Sequence, residues 1–420
     1  MKYSGIEWIG YIPSNWDIRK VKQCFYISKE QSYIENPTIL SLARAGVKVR
    51  DISNNEGQLA ASYENYNPVQ PGDLLLNPMD LYSGANCSLS EVSGVISPAY
   101  VNLRKHVDLN PKFFDYYFKT QYWAMTMFAH GKGVSFDNRW TMNAETVLNY
   151  YLPFPTLEEQ NKIVEKINEK TTEIDSLIEI ENLQIEKLKQ LKQTVIINVV
   201  TKGLNKNIAT QKSNVKWIGD IPYNWSVVPL KTICDIKTGS TPSTQVQKYF
   251  DGDINWYTPG DFNADSIASS ARTITDFAKK ECNIDLFPEN TTLLIGIGGT
   301  AGKVALIKKE GYSNQQITAL MSKENNSPIY LYYMMLACTS YLKDNALYTT
   351  LPIINNQYLS TFKVCNPPLN EQNSIAETLV KKCSEIDDLI TIKQKKIDYL
   401  NEYKKSLIYE YVTGKKEVTA

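Results

Sequence analysis

Gly296-Ile297-Gly298-Gly299-Thr300-Ala301-Gly302-Lys303 comes nearest to cofactor chemistry by residue type. Glycines ahead of a lysine can cradle phosphates with backbone N–H groups. A phosphate loop needs glycine where Ile297 stands, and Ser or Thr where Val304 stands. The looser dinucleotide pattern fits Gly296, Gly298 and Ala301, but it requires a helix next, whose N-terminus meets the pyrophosphate. Val304-Ala305-Leu306-Ile307 follows instead and reads as a strand. The stretch is therefore expected to be a glycine-rich turn between strands.

Other routes to catalysis fail in the same way. Asn366-Pro367-Pro368-Leu369 has the outline of a base-flipping motif, but Leu369 cannot stack on a flipped base. Proline there fits a helix start better. The two histidines, His106 and His130, have no nucleophile signature beside them, and neither H-E-x-x-H nor G-x-S-x-G occurs. Seven cysteines are scattered without a C-x-x-C pair, which argues against a zinc ribbon or disulfide framework and fits a reducing cytoplasm. The N-terminus has no signal-peptide pattern, and no apolar run is long enough to span a membrane.

Polar loops able to touch nucleic acid remain. The candidates are Arg44, Asn77, Tyr82, Ser83 and Arg139 in the first part of the chain. In the second they are Ser240, Thr241, Trp256, Tyr257, Thr300, Lys303, Asn314, Gln315 and Gln316. Arg, Asn and Gln can read base edges, and Lys, Ser and Thr can hold phosphates. Arg44, Arg139, Gln315 and Gln316 are the sharpest of these. Composition alone favours solvated turns. Lys plus Arg and Asp plus Glu both number 45, so the net charge is zero. That argues against a strongly basic, non-specific binder and leaves room for a small basic face.

The elements that position these loops occur twice. Trp8-Ile9-Gly10-x-Ile12-Pro13-x-Asn15-Trp16 returns as Trp217-Ile218-Gly219-x-Ile221-Pro222-x-Asn224-Trp225. Residues 155–201 return, without a gap, as residues 367–413. Between these copies lie two inserts, roughly 17–150 and 226–365, that do not align obviously with each other. Each is one domain's worth of mixed α+β sequence. Strands are expected at 73–77, 94–97, 291–296 and 303–307, and helices at 111–128 and 328–342. Phe113, Tyr116, Tyr117, Phe118, Tyr330, Tyr332 and Tyr333 are expected in cores.

In 157–201 apolar residues recur at helical steps: Ile163, Ile167, Ile174, Leu177, Ile178, Ile185, Leu188, Leu191, Val195 and Val199. The second copy has Ile375, Leu379, Ile386, Leu389, Ile390, Ile397, Leu400, Leu407 and Tyr411. Thr156 to Glu159 can form a capping box, and Gly203 and Gly414 can end the helices. Each helix of about 45 residues would be roughly 65–70 Å long. A helix this long needs a partner of similar length, and the other copy is the obvious one. Pseudo-two-fold symmetry makes the pair antiparallel. The expected fold is α+β: two mixed α/β domains joined by two long helices in an antiparallel coiled coil.

This layout resembles the specificity (S) subunit of type I restriction–modification enzymes. The signs are the Trp8 and Trp217 motifs, and Pro155-x-Leu157-x-Glu159-Gln160-x-x-Ile163 with its copy at Pro367 to Ile375. Further signs are Gly94-x-Ile96-Ser97-Pro98-Ala99-Tyr100, Thr238-Gly239-Ser240-Thr241-Pro242, Ile254-x-Trp256-Tyr257 and Asn314-Gln315-Gln316. The resemblance implies target-recognition domains at 1–150 and 206–365, each reading half of a split, asymmetric site on double-stranded DNA. It implies helical spacers at 151–205 and 366–420 that dock two methyltransferase (M) subunits. Two restriction (R) subunits could join. S-adenosylmethionine would then belong to M, ATP and Mg2+ to R, and no cofactor or metal to this non-catalytic, cytoplasmic chain. Two rivals make different predictions. A coiled-coil scaffold with protein-binding inserts would protect no DNA sequence, and a self-contained enzyme would turn over alone.

Overall fold

The computed structural model describes residues 1–29, 37–43, 46–51, 62–79, 81, 86–133, 140–205, 207–345, 347–348 and 352–418. The chain divides into two compact units. Unit 1 is Met1–Glu181 with Lys395–Ala420, and unit 2 is Asn182–Gln394. The two long helices, Leu157–Lys202 and Leu369–Val412, each contribute to both units.

In unit 1 an antiparallel sheet runs in the order Phe25–Ile27, Val101–Lys105, Leu74–Leu76, Cys87–Leu89. Leu74 and Leu76 face the main core with Phe113, Phe114 and Tyr117. Leu75 faces a smaller cluster with Leu40, Val69 and Ile96. Alternate residues of a strand point to opposite faces, so covering both faces makes the whole strand apolar. The helix Pro111–Trp123 starts on Pro111, with Asn110 Oδ1 accepting from Lys112 N at 2.9 Å. It stops earlier than the sequence pattern suggests, because Met125 adopts φ 56° before the short helix Thr126–Ala129.

Unit 2 repeats this topology although the inserts do not align by sequence. Its sheet runs Cys234–Thr238, Ile317–Ser322, Thr292–Ile295, Val304–Ile307, and adds Ser266–Ile267 in parallel at the edge. Leu294, Leu306 and Leu320 face the helix Pro328–Asp344. Leu293, Ile295, Ala305 and Ile307 face Tyr257, Phe262 and Phe287. The likeness extends to single turns. Gly72 with φ 94° precedes Asp73, and Asn290 with φ 62° precedes Thr291, each leading into the central strand. Both are positions where an ordinary side chain is strained.

The repeated motifs form one frame in each unit. Trp16 Nε1 donates to Glu159 Oε1 at 2.8 Å, and Trp225 Nε1 to Glu371 Oε2 at 2.9 Å. Gln160 Nε2 donates to Pro155 O at 2.9 Å while its Oε1 accepts from Asn110 N at 2.8 Å. Gln372 does the same with Pro367 O at 3.0 Å and Ser327 N at 2.9 Å. Glu159 thus serves the indole instead of closing a capping box, although Thr156 Oγ1 does accept from Glu159 N at 3.3 Å. Gly414 closes unit 1 against Pro13 and Trp16, and Gly203 closes unit 2 against Trp225. Both glycines have positive φ, 69° and 73°.

Within each unit the long helices run antiparallel. In unit 1 Asp175 pairs with Lys404 and Glu181 with Lys396, both at 2.6 Å. In unit 2 Gln184 meets Lys393, and Lys192 pairs with Asp387 at 2.8 Å. The buried stripe is narrower than the apolar periodicity suggests. Leu177, Leu191 and Leu389 are exposed, whereas Glu181 is buried against Lys396. Among the described residues no helix is long and apolar enough to cross a membrane.

Candidate nucleic-acid interface

Four loops of unit 2 converge at one end of its five-stranded sheet. Gly239 N donates to Ile317 O at 2.9 Å and Ser240 N to Ser313 O at 2.8 Å, joining loop 238–243 to loop 313–317. A Cβ on Gly239 would lie 2.1 Å from Ser313 Oγ, so only glycine allows this approach. Gly296 N donates to Gln316 O at 2.7 Å, and Ile354 N to Gly296 O at 2.8 Å, adding the hairpin 296–303 and residues 352–356. The hairpin closes with Ile295 N to Lys303 O at 2.9 Å and leads into a strand. No helix start faces a phosphate there, so the glycine stretch is a turn.

Most of the candidates in unit 2 come together here. Thr241 Oγ1 donates to Gln315 Oε1. Asn314 Nδ2 donates to Gln316 Oε1 at 3.1 Å, and Asn314 Oδ1 accepts from Gln316 N at 3.1 Å. Thr300, Lys303 and Gln315 are exposed, while Ser240, Thr241, Asn314 and Gln316 are half-buried. Sequence reasoning missed Thr318 and Asn356, and met Thr238 only as the first residue of the 238–242 motif. Asn356 Oδ1 accepts from Thr238 Oγ1 at 3.1 Å and from Thr318 Oγ1 at 3.2 Å. Only the fold brings these three together, because Asn356 lies far along the chain from both threonines. Lone polar residues at a strand start and a helix start carry no sequence signal.

Two candidates need correction. Trp256 is 2% exposed and packs with Ile274, Ala278 and Tyr312. Its Nε1 donates to Ser240 O at 3.2 Å, and Arg272 sits over its ring. Tyr257 is 0% exposed and donates to Lys309 O at 2.8 Å, and burial pushes its phenol up to about 12. Neither ring can stack on a base. They are core residues that support the loops, in a strand whose aromatic sequence looks the same for either role.

In unit 1, Arg44, Tyr82, Ser83 and Arg139 lie outside the described residues. Asn77 is half-buried. Its Oδ1 accepts from Met79 N at 3.0 Å, and its carbonyl accepts from Tyr122 OH at 2.9 Å. It begins the hairpin between Leu74–Leu76 and Cys87–Leu89, the counterpart of the hairpin that carries Thr300 and Lys303.

Burial pushes the Cys234 and Cys365 thiols up to about 12, far from the thiolate form. Among the described residues no group of three His, Cys, Asp or Glu could hold a metal ion.

Residues 222–401 match the family described as type I restriction modification DNA specificity domain. Over this stretch the chain is similar to those domains, and its resemblance to type I specificity subunits stands. It is 36% identical over 190 residues to the type I restriction enzyme MjaIX specificity subunit of Methanocaldococcus jannaschii, covering 44% of this chain and 43% of that one. The matched part is thus less than half of that relative's length. Two solved structures share the fold. One, from a study of complex assembly and conformational transition of the type I R-M system, superposes with a TM-score of 0.72 at 15% identity. It covers 96% of this chain and 98% of that one. The other is the HsdS subunit from Thermoanaerobacter tengcongensis, with a TM-score of 0.53 at 14% identity and the same coverage.

Proposed function

We propose that the chain is the DNA sequence-specificity subunit of a type I restriction–modification complex. Residues 1–150 and 206–365 are its two target-recognition domains, each reading one half of a split, asymmetric site. Residues 151–205 and 366–420 form an antiparallel coiled coil that sets the spacing and docks two M subunits. The match of residues 222–401 to a DNA specificity domain carries this reading. The frame that recurs around a second insert of the same strand order supports two readers in one chain. Unlike readers on one chain suit an asymmetric site, as a symmetric dimer suits a palindrome.

The chain itself performs no chemistry in this reading. The M subunits bind S-adenosylmethionine and methylate adenine, and two R subunits supply ATP- and Mg2+-dependent translocation and cleavage. The complex works in the cytoplasm. With zero net charge, the isolated chain binds DNA weakly, because phosphate attraction supplies much of DNA affinity.

Co-expression with the neighbouring M-subunit gene, followed by single-molecule sequencing for methyladenine, tests this. The expected result is a bipartite asymmetric motif present only with both proteins, of which one half changes when residues 17–150 are exchanged. A stable complex with an active M subunit and no new methylation would favour the protein-binding scaffold.

A further inference from the structure

Three side-chain amides in the loops at the end of the unit 2 sheet, those of Gln315, Gln316 and Asn356, have their oxygens engaged by the protein. Asn356 Oδ1 accepts from two threonine hydroxyls, which fills both lone pairs of that oxygen. Gln316 Oε1 accepts from Asn314 Nδ2 at 3.1 Å, and Gln315 Oε1 accepts from Thr241 Oγ1. The three amide nitrogens have no hydrogen-bond partner among the described residues. Each amide is thereby oriented, oxygen inward, with two N–H donors left over. Gln316 Nε2 lies beside Gly298, which has φ 112° and no side chain to cover it.

An asparagine or glutamine reads adenine by using its oxygen and nitrogen together on N6 and N7. Asn356 cannot do this, because its oxygen is saturated, and the two glutamines are held against it. What remains is a set of donors. Donors match guanine N7 and O6 best, and thymine O4; adenine offers N7 only beside its N6 donor and is matched less well, and cytosine N4 presents a like donor.

We propose that Gln315, Gln316 and Asn356 read hydrogen-bond acceptors on base edges, guanine foremost, in the half-site facing residues 206–365. This rests on the specificity-subunit reading above. The same donors could hold phosphate oxygens, and the test separates the two.

The test measures methylation motifs for the co-expressed complex with the native chain, with Asn356→Asp and with Gln316→Glu. Both substitutions keep the inward oxygen and replace the outward donor with an acceptor. The half-site of residues 206–365 is the one that stays fixed when residues 17–150 are exchanged. The native half-site is expected to require guanine or thymine at the positions these variants affect. Each variant is expected to lower methylation of native sites about tenfold or more and to shift that position towards cytosine or adenine, which offer donors. The other half-site stays unchanged, which also shows that the variant complex is folded. Equal weakening on every sequence would mean phosphate contact and overturn the proposal, as would an unchanged motif. A complex that methylates nothing, even with the native chain, would remove the specificity reading and this proposal with it.

Discussion

Thr318 and Asn356 meet at the end of the unit 2 sheet, and the matching places in unit 1 hold Val101 and Ala144. The match follows from the register: Leu294 lies opposite Thr318, and Leu76 opposite Val101. The capping asparagines Asn355 and Asn143 fix the other position, since each accepts from a backbone N–H three residues on, at 2.8 Å. The frames are near copies, down to the indole–carboxylate bonds of Trp16 and Trp225. The topology is copied too, but the chemistry at the end of the sheet is not. A frame held by its own buried bonds lets the loops change without disturbing the fold. Two unlike half-sites can then be read from one architecture.

The largest expected effect tests how far the inserts have diverged inside the sheet. Asp73 is buried before the central strand of unit 1 and accepts from Arg104 Nε and Nη2, both at 2.8 Å. It also accepts from Asn102 Nδ2 at 3.1 Å and Gln70 N at 2.9 Å, and this ion pair holds the Arg104 guanidinium above its ordinary pKa. Unit 2 has Thr291 there, whose hydroxyl donates only to Pro288 O at 2.7 Å. Asp73→Ala leaves Arg104 without its carboxylate and should cost unit 1 about 3–5 kcal/mol. Thr291→Val should cost unit 2 about 0.5–1.5 kcal/mol. Hydrogen exchange resolved by unit checks both, and equal losses would mean the two turns bear equal loads.

The frame predicts the opposite pattern, namely equality. Trp16→Phe and Trp225→Phe each remove one hydrogen bond to a carboxylate while keeping most of the buried ring. Each should cost its own unit about 1.5–3 kcal/mol. Denaturant melts of the two variants should shift alike, and a shift confined to one of them would show that only one clamp matters.

The frame was legible in the sequence because it is written twice. The repeat of Trp16 and Glu159 at Trp225 and Glu371 fixed where to look, and helical steps located both long helices. The common strand order of the inserts was hidden. It rests on apolar alternation and on turns such as Gly72-Asp73 and Asn290-Thr291, which many residue types satisfy. The site was half legible. Gln315 and Gln316 stood out as polar residues in a loop, but Trp256 and Tyr257 misled because an aromatic pair in a strand looks the same buried or open. Asn356 gave no signal, since its pairing with Thr238 exists only once the sheet and the last loop meet. Glu181 was passed over because periodicity counts apolar residues, and this buried carboxylate owes its place to Lys396.

The smallest expected effect separates the units by pH. Both histidines belong to unit 1, so histidine titration cannot touch unit 2. His130 packs edge-on against Trp8 at 4.6 Å and Tyr150 at 5.4 Å between ring centroids, and burial there lowers its pKa. The charged form is disfavoured in the folded state, so the unfolded chain takes up the proton first. Stability from this site is whole above the unfolded histidine pKa of about 6.5 and declines as pH falls through the lowered folded value. Unit 1 should therefore lose protection between neutral pH and pH 5 in a step that His130→Phe removes. Unit 2, measured in the same exchange experiment, should show no such step. A loss of equal size in both units, or one that survives His130→Phe, would assign the acid sensitivity to carboxylates that the two frames share.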